Sequence, residues 1–230
     1  MRLSVVVPVL DEAEGILDHL RALSPLRARG AEVIVADGGS RDGTPERAAG
    51  AADRVIAAPR GRARQMNAGA DAASGDVLLF LHADTVLPPD ADRLIAAVLG
   101  DGRRVWGRFD VAISGRHPLL RVVAALMNAR SRLTGIATGD QAIFVRASAF
   151  RAVGGYLDQP LMEDIDLSRR LKRLSSPACL AERATTSGRR WERHGVLRTI
   201  LSMWRLRLAY ALGADPRGLA RAYGYRVDEG

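Results

Sequence analysis

Three carboxylates crowd one short stretch, Glu163-Asp164-Ile165-Asp166, where a helical pattern begins. The positive end of a helix keeps a carboxylate ionised, and an ionised carboxylate in a cleft can take a proton as a general base. Capping plus an ion pair between Asp166 and Arg170, one turn on, would account for Asp166 but not for the doubled Glu163-Asp164. A second set is His82 and Asp84 in Leu81-His82-Ala83-Asp84-Thr85. Residues two apart on a strand project to the same side, so this imidazole and carboxylate could converge on Mn²⁺ or Mg²⁺, with phosphate oxygens and water completing the shell. The other reading of His82 is a side chain that packs or hydrogen-bonds nearby.

Two loops carry groups suited to a nucleotide. In Asp37-Gly38-Gly39-Ser40-Arg41-Asp42-Gly43-Thr44 the glycines permit positive φ and close backbone approach, and an acid at a strand's carboxyl end can accept a base N–H or sugar hydroxyls. A plain turn into a capped helix is the alternative. In Gly61-Arg62-Ala63-Arg64-Gln65 two arginines open a helix, combining fixed cations with the helix dipole. Neither a G-x-G-x-x-G loop nor a P-loop is present. Downstream, Arg189-Arg190-Trp191-Glu192-Arg193-His194 offers either a solvated basic loop or a ligand to a metal or pyrophosphate through His194.

The elements that must position these groups follow from apolar patterning. Strands are expected at residues 3–9, 32–36, 54–58, 76–81, 105–113 and 142–145, with helices at 13–29, 44–52, 62–73, 119–133, 163–174 and 196–212. Strands apolar on both faces and separated by helices imply parallel βαβ units, hence a doubly wound α/β sheet with its ligand beyond the strands' carboxyl ends. We expect one domain over residues 1–180, with a donor half (1–100) and an acceptor half (101–180), followed by a basic loop and helical extension over 181–230.

Composition sets limits on class and compartment. The 230 residues are 47% hydrophobic and 26% charged, ordinary for a globular chain. The lone Cys179 forbids an internal disulfide and a multi-cysteine zinc site, and is expected to be a small buried residue. With no run of about 18 apolar residues and no cleavable signal, a cytoplasmic location is expected, with peripheral membrane contact left open. The net charge of +8 is uneven: residues 1–115 hold 14 basic and 16 acidic side chains, leaving 20 and 10 for residues 116–230. Such a half implies an anionic partner. Few aromatics (5%) and no recognised basic motif argue against nucleic acid. The stretch 196–212 spaces Val196, Leu197, Ile200, Leu201, Trp204 and Leu208 helically between arginines, fit for a core cover, a dimer interface or an anionic bilayer.

In order along residues 3–174, these pieces resemble the GT-A-fold, inverting, nucleotide-sugar glycosyltransferases of family 2. The resemblance rests on Val-Pro-Val-Leu-Asp-Glu at 7–12, Asp-Gly-Gly-Ser-x-Asp-Gly-Thr at 37–44, Gly-Arg-x-x-Gln-Met-Asn-x-Gly at 61–69 and Leu-His-Ala-Asp at 81–84. It continues through Gly-Asp-Gln-Ala-Ile-Phe at 139–144, Val-Gly-Gly-Tyr at 153–156 and Glu-Asp-Ile-Asp-Leu at 163–167. It implies a GT-A sheet in which Pro8, Leu10, Glu12, Asp37 and Arg62 contact the base and ribose of the donor. Gly38, Gly39, Gln65, His82 and Asp84 complete the implied donor set, with Asp84 as last acid of the metal-binding Asp-x-Asp. Asp164, beside Glu163, is the implied catalytic base, and Asp84 with His82 or His194 the implied ligands of Mn²⁺ or Mg²⁺. His82 stands where the first acid of Asp-x-Asp is usual, and Gly38 where Asp-Asp-Gly-Ser has its second. The implied activity is metal-assisted transfer of a sugar, UDP-linked by the family's commoner habit, to an acceptor hydroxyl on a small molecule, glycan or lipid phosphate. A non-catalytic donor-binding relative and a nucleic-acid-binding module are the alternatives.

Overall fold

The structure, a computed structural model, describes residues 1–224 apart from the side chains of Arg190 and His194. Strands β1 (Leu3–Val9), β2 (Glu32–Asp37), β3 (Arg54–Ala57), β4 (Val77–Phe80), β5 (Thr85–Val86), β6 (Trp106–Ser114), β7 (Phe144–Arg146) and β8 (Ala178–Ser187) form one sheet. The spatial order is β3-β2-β1-β4-β7-β6-β8-β5. Around it lie helices α1 (Ile16–Ala22), α2 (Ser24–Ala28), α3 (Thr44–Ala48), α4 (Arg62–Ala72), α5 (Ala91–Leu99) and α6 (Leu119–Thr134). The chain continues through α7 (Ala147–Ala152), α8 (Glu163–Leu171), α9 (Arg189–His194), α10 (Val196–Ala211) and α11 (Pro216–Ala222).

β1 pairs in parallel with β2 and β4, and β2 with β3, which is the expected βαβ half. β7 runs antiparallel between β4 and β6, β8 runs parallel to β6, and β5 lies antiparallel on β8. Val5, Val7, Val33, Val35 and Leu79 bury one face of the sheet under α1 and α5. Val6, Leu78 and Phe80 bury the other under α4, α7 and α8. Cover on both faces explains the unbroken apolar runs of these strands.

Several elements differ from expectation for local reasons. The helix expected over 13–29 is two, α1 and α2, because Pro25 stands in the first turn of α2 and has no N–H to continue a ladder. β8 lacks a strand-like pattern because its pairing with β6 shifts between Phe109/Leu180 and Asp110/Arg183, and residues 181–183 are exposed in a row. The boundary expected at residue 180 therefore falls inside a sheet strand, and the expected basic loop is the short helix α9. Cys179 is half-buried on the same strand. α11 starts where Asp215 accepts the Gly218 N–H at 3.1 Å.

Two positions test this packing. Gly69 lets α4 lie against β1, since a Cβ there would sit 2.3 Å from Val6 Cγ1. Gly69→Ala should cost about 1–3 kcal/mol in urea unfolding, and an unchanged midpoint would contradict the contact. His19 on α1 is buried, and its Nε2 has no partner among the described residues. Burial, with His82 adding and Asp84 opposing, holds its imidazole down to about 4, against about 6.5 in an unfolded chain. Between those values only the unfolded chain takes up the proton, so stability is full above about pH 6.5 and falls as pH drops toward 4. Between pH 7.5 and 5 the loss from this group should be about 2 kcal/mol, and His19→Leu should flatten the pH dependence of unfolding by that amount. Equal pH dependence in both proteins would exclude a buried neutral His19.

Candidate active site

A cleft of about 1360 Å³ opens past the carboxyl ends of β1 and β4. Pro8, Leu10 and Glu12 follow β1 into its wall, Arg62 and Gln65 enter from α4, and His82 and Asp84 follow β4. Glu163 and Asp164 reach it from the first turn of α8. The structure thus brings these nine candidate residues to one cavity.

The turn at 37–39 stands behind that wall. Asp37 accepts the N–H groups of Gly39 at 2.9 Å and Ser40 at 3.0 Å, together with the Ser40 hydroxyl, so its carboxylate holds the turn in shape. Gln65 is buried and donates through Nε2 to the Val9 carbonyl at 2.7 Å and the Ala36 carbonyl at 2.9 Å, tying β1 to β2 where they end. Gly38 leaves room for that amide, which a Cβ would approach to 3.0 Å, and Gly39 has φ +89°. These residues shape the loop beside the cleft.

Asp164 is fixed at both oxygens. Oδ2 accepts the Gly139 N–H at 2.9 Å, and Oδ1 the Ile165 N–H at 2.7 Å. Glu163 is buried, and Arg62 Nη1 lies 3.7 Å from its Oε1, joining the starts of α4 and α8 across the cleft. Burial and then the Asp164 charge push the Glu163 carboxyl up, with Arg62 opposing. The two acids therefore differ in environment: both line the cleft, but Glu163 is the more deeply buried. Asp166 is paired with Arg170, whose Nε donates to Oδ2 at 2.7 Å.

His82 and Asp84 do not converge as strand neighbours would. β4 ends at Phe80, so residues 81–84 form a turn in which the two-residue alternation no longer applies. The His82 ring lies against Gly139, and Nδ1 is 3.6 Å from Asp140 Oδ1. Burial would raise the Asp140 carboxyl, but His82, Arg62 and Arg207 together hold it below the usual carboxylate value. Asp84 is exposed to the cleft, with the Thr85 hydroxyl donating at 3.3 Å and that of Thr186 at 3.5 Å. Partial desolvation and then the Asp84 charge push the Glu12 carboxyl up, a like-charge approach that a cation would relieve. Among the described residues no three His, Cys, Asp or Glu side chains cluster as a resident metal site. One exposed carboxylate instead fits a Mg²⁺ or Mn²⁺ ion that draws its other ligands from a diphosphate and water. The side chain of His194, the remaining candidate ligand, lies outside the described residues.

Sequence reasoning assigned no role of their own to Gly139, Asp140 or Arg130, and took Arg207 only as one of the seven arginines between 183 and 207 expected near a pyrophosphate or a phosphorylated lipid acceptor; all four residues line the cleft. Gly139-Asp140 sits in a motif visible in the sequence, yet only the fold shows it between His82 and Asp164. Arg130 and Arg207 carry no local signal, being two arginines among many on amphipathic helices.

A curated relative, the undecaprenyl-phosphate 4-deoxy-4-formamido-L-arabinose transferase of Yersinia pestis bv. Antiqua (strain Angola), is 30% identical over 159 residues, covering 64% of this chain and 48% of its own. The chain therefore spans about half the length of the curated relatives it matches. Among solved structures, S. aureus TarS 1–349 in complex with UDP-GlcNAc aligns with TM-score 0.66 at 16% identity, covering 81% of this chain and 58% of that one. The mannosyltransferase PcManGT of Pyrobaculum calidifontis, in complex with GDP-Man and Mn²⁺, aligns with TM-score 0.65 at 20% identity, covering 90% and 60%. These likenesses establish a GT-A fold. The sequence profile of Glycosyl transferase family 2 matches residues 4–153, and the chain belongs to that family.

Proposed function

We propose that this chain transfers a sugar from a nucleotide-sugar donor to an acceptor hydroxyl, with Asp164 as the general base. The observation that carries the reading is Asp164 itself, a carboxylate anchored by two backbone N–H groups at the edge of a cleft whose opposite wall is the loop after β1. Those N–H groups hold its orientation, and the buried Glu163 lies beside it in the cleft wall. As the acceptor oxygen attacks the anomeric carbon, Asp164 takes its proton, and attack opposite the leaving diphosphate inverts that carbon. Arg62, at the start of α4, supplies positive charge toward the donor, and the uridine nucleotides bound by fold relatives support a UDP-linked one. A divalent cation shared between Asp84 and the donor's diphosphate would neutralise the charge that builds on the leaving group.

Asp164→Asn should lower kcat by about 10²- to 10⁴-fold while leaving nucleotide affinity within a few-fold. Activity near that of the unmodified protein would remove Asp164 from the reaction. Asp84→Ala should abolish the gain in UDP or GDP affinity that Mn²⁺ confers, as read by calorimetry. Equal affinity with and without Mn²⁺ in the unmodified protein would exclude the cation role.

A further inference from the structure

Two arginines that this reading leaves unused face the same cleft. Arg130 projects from α6 and Arg207 from α10, and both line the cavity that holds Asp164. Nε and Nη2 of Arg130, and Nε of Arg207, are buried without a hydrogen-bond partner among the described residues. Burial pushes Arg130 down to about 10, the Arg207 charge adds to this, and Asp164 opposes it. Burial lowers Arg207 as well, against Asp164 and Asp140. Buried guanidinium donors left without acceptors are costly, and two of one charge held together are costlier, so the arrangement suits an anion that accepts from both.

The cleft changes character outward from this pair. Leu126 and Leu133 on α6, with Trp204 and Leu208 on α10, continue its wall as apolar surface. They are large and open to solvent, Leu133 at 88% and Trp204 at 66%. On α10 the exposed stripe runs Leu197, Leu201, Trp204, Leu208, one face of a helix, and continues to Leu212 just past its end, beside exposed Arg198 and Arg205. An anion site beside an open apolar surface with a basic rim is complementary to an amphiphile with an anionic head.

We propose that Arg130 and Arg207 form the phosphate subsite for the acceptor, a phosphate monoester whose hydrocarbon chain lies along Leu126, Leu133, Trp204 and Leu208. This rests on the transferase reading and names the acceptor class of the same cleft. A monoester oxygen is then the attacking atom. As its bond to the anomeric carbon forms, the bond from that carbon to the donor's diphosphate breaks. The nucleoside diphosphate leaves with the electron pair, and the proton of the attacking P–OH oxygen passes to Asp164. The products are a glycosyl phosphodiester and the nucleoside diphosphate.

The test is calorimetric titration of the full chain, without nucleotide, using farnesyl phosphate, farnesol and inorganic phosphate. Farnesyl phosphate should bind more tightly than either of the others. Arg130→Gln and Arg207→Gln should each weaken it at least tenfold, and Arg130→Lys and Arg207→Lys should restore part of the loss, which controls for damage to the fold. Trp204→Ala should weaken farnesyl phosphate but not inorganic phosphate. Unchanged farnesyl phosphate affinity in the folded glutamine variants would overturn the subsite. So would variants that lose UDP or GDP affinity instead, which would place the pair on the donor's diphosphate. Inorganic phosphate binding as tightly as farnesyl phosphate would overturn the lipid assignment. Failure of every UDP- and GDP-sugar to bind the unmodified protein would sink the transferase reading separately, because the phosphate titrations contain no nucleotide.

Discussion

The site depends on how closely the turn at residues 139 and 140 lies against its neighbours. A Cβ on Gly139 would sit 2.4 Å from His82 Cε1, so only a bare backbone lets the imidazole lie flat there. From that position the Gly139 N–H reaches Asp164, and Asp140 meets the other side of His82. One turn thereby connects the end of β4, the approach to β7 and the start of α8. Because β4 and β7 are neighbouring antiparallel strands, the contact joins the end of β4 to the start of α8, where Asp164 sits, through backbone, with little freedom to drift. His82 is thus best understood as the wall that aims Asp164.

Sequence pattern revealed the parallel half of the sheet because each of its strands is buried on both faces and followed by a helix. It also placed Asp164, since doubled acids at a helix start exceed what capping needs. It could not reveal β8, whose bulge puts three exposed residues in a row, nor the reach of His82, because the end of β4 two residues earlier cancels the alternation that would aim the ring at Asp84. Asp37 and Gln65 show a related limit. A carboxylate and an amide beside a ligand look alike in sequence whether they face the ligand or hold the loop that does, and here their hydrogen bonds go to the loop.

The uneven charge also acquires a location. The basic excess of the second half divides among several places. Part of it pairs internally, as Arg132 does with Asp110 and Arg170 with Asp166. Part is drawn into the cleft, and part borders the apolar stripe of α10. Position therefore decides what each cation does, and the buried ones cannot be screened by salt as the rim can.

β8 has a consequence for how the protein is assembled. Its Thr185 and Thr186 pair with Val86 and Thr85, and the Ser187 N–H donates to the Asp84 carbonyl at 3.1 Å. The short β5 has no other partner in the sheet, so the turn carrying Asp84 is clamped by a segment synthesised about a hundred residues later. Contacts that distant close a long loop and form late in folding. During synthesis the parallel half can gather around its own core while the Asp84 turn is still unanchored, and that end of the cleft is completed only once the chain has passed β8.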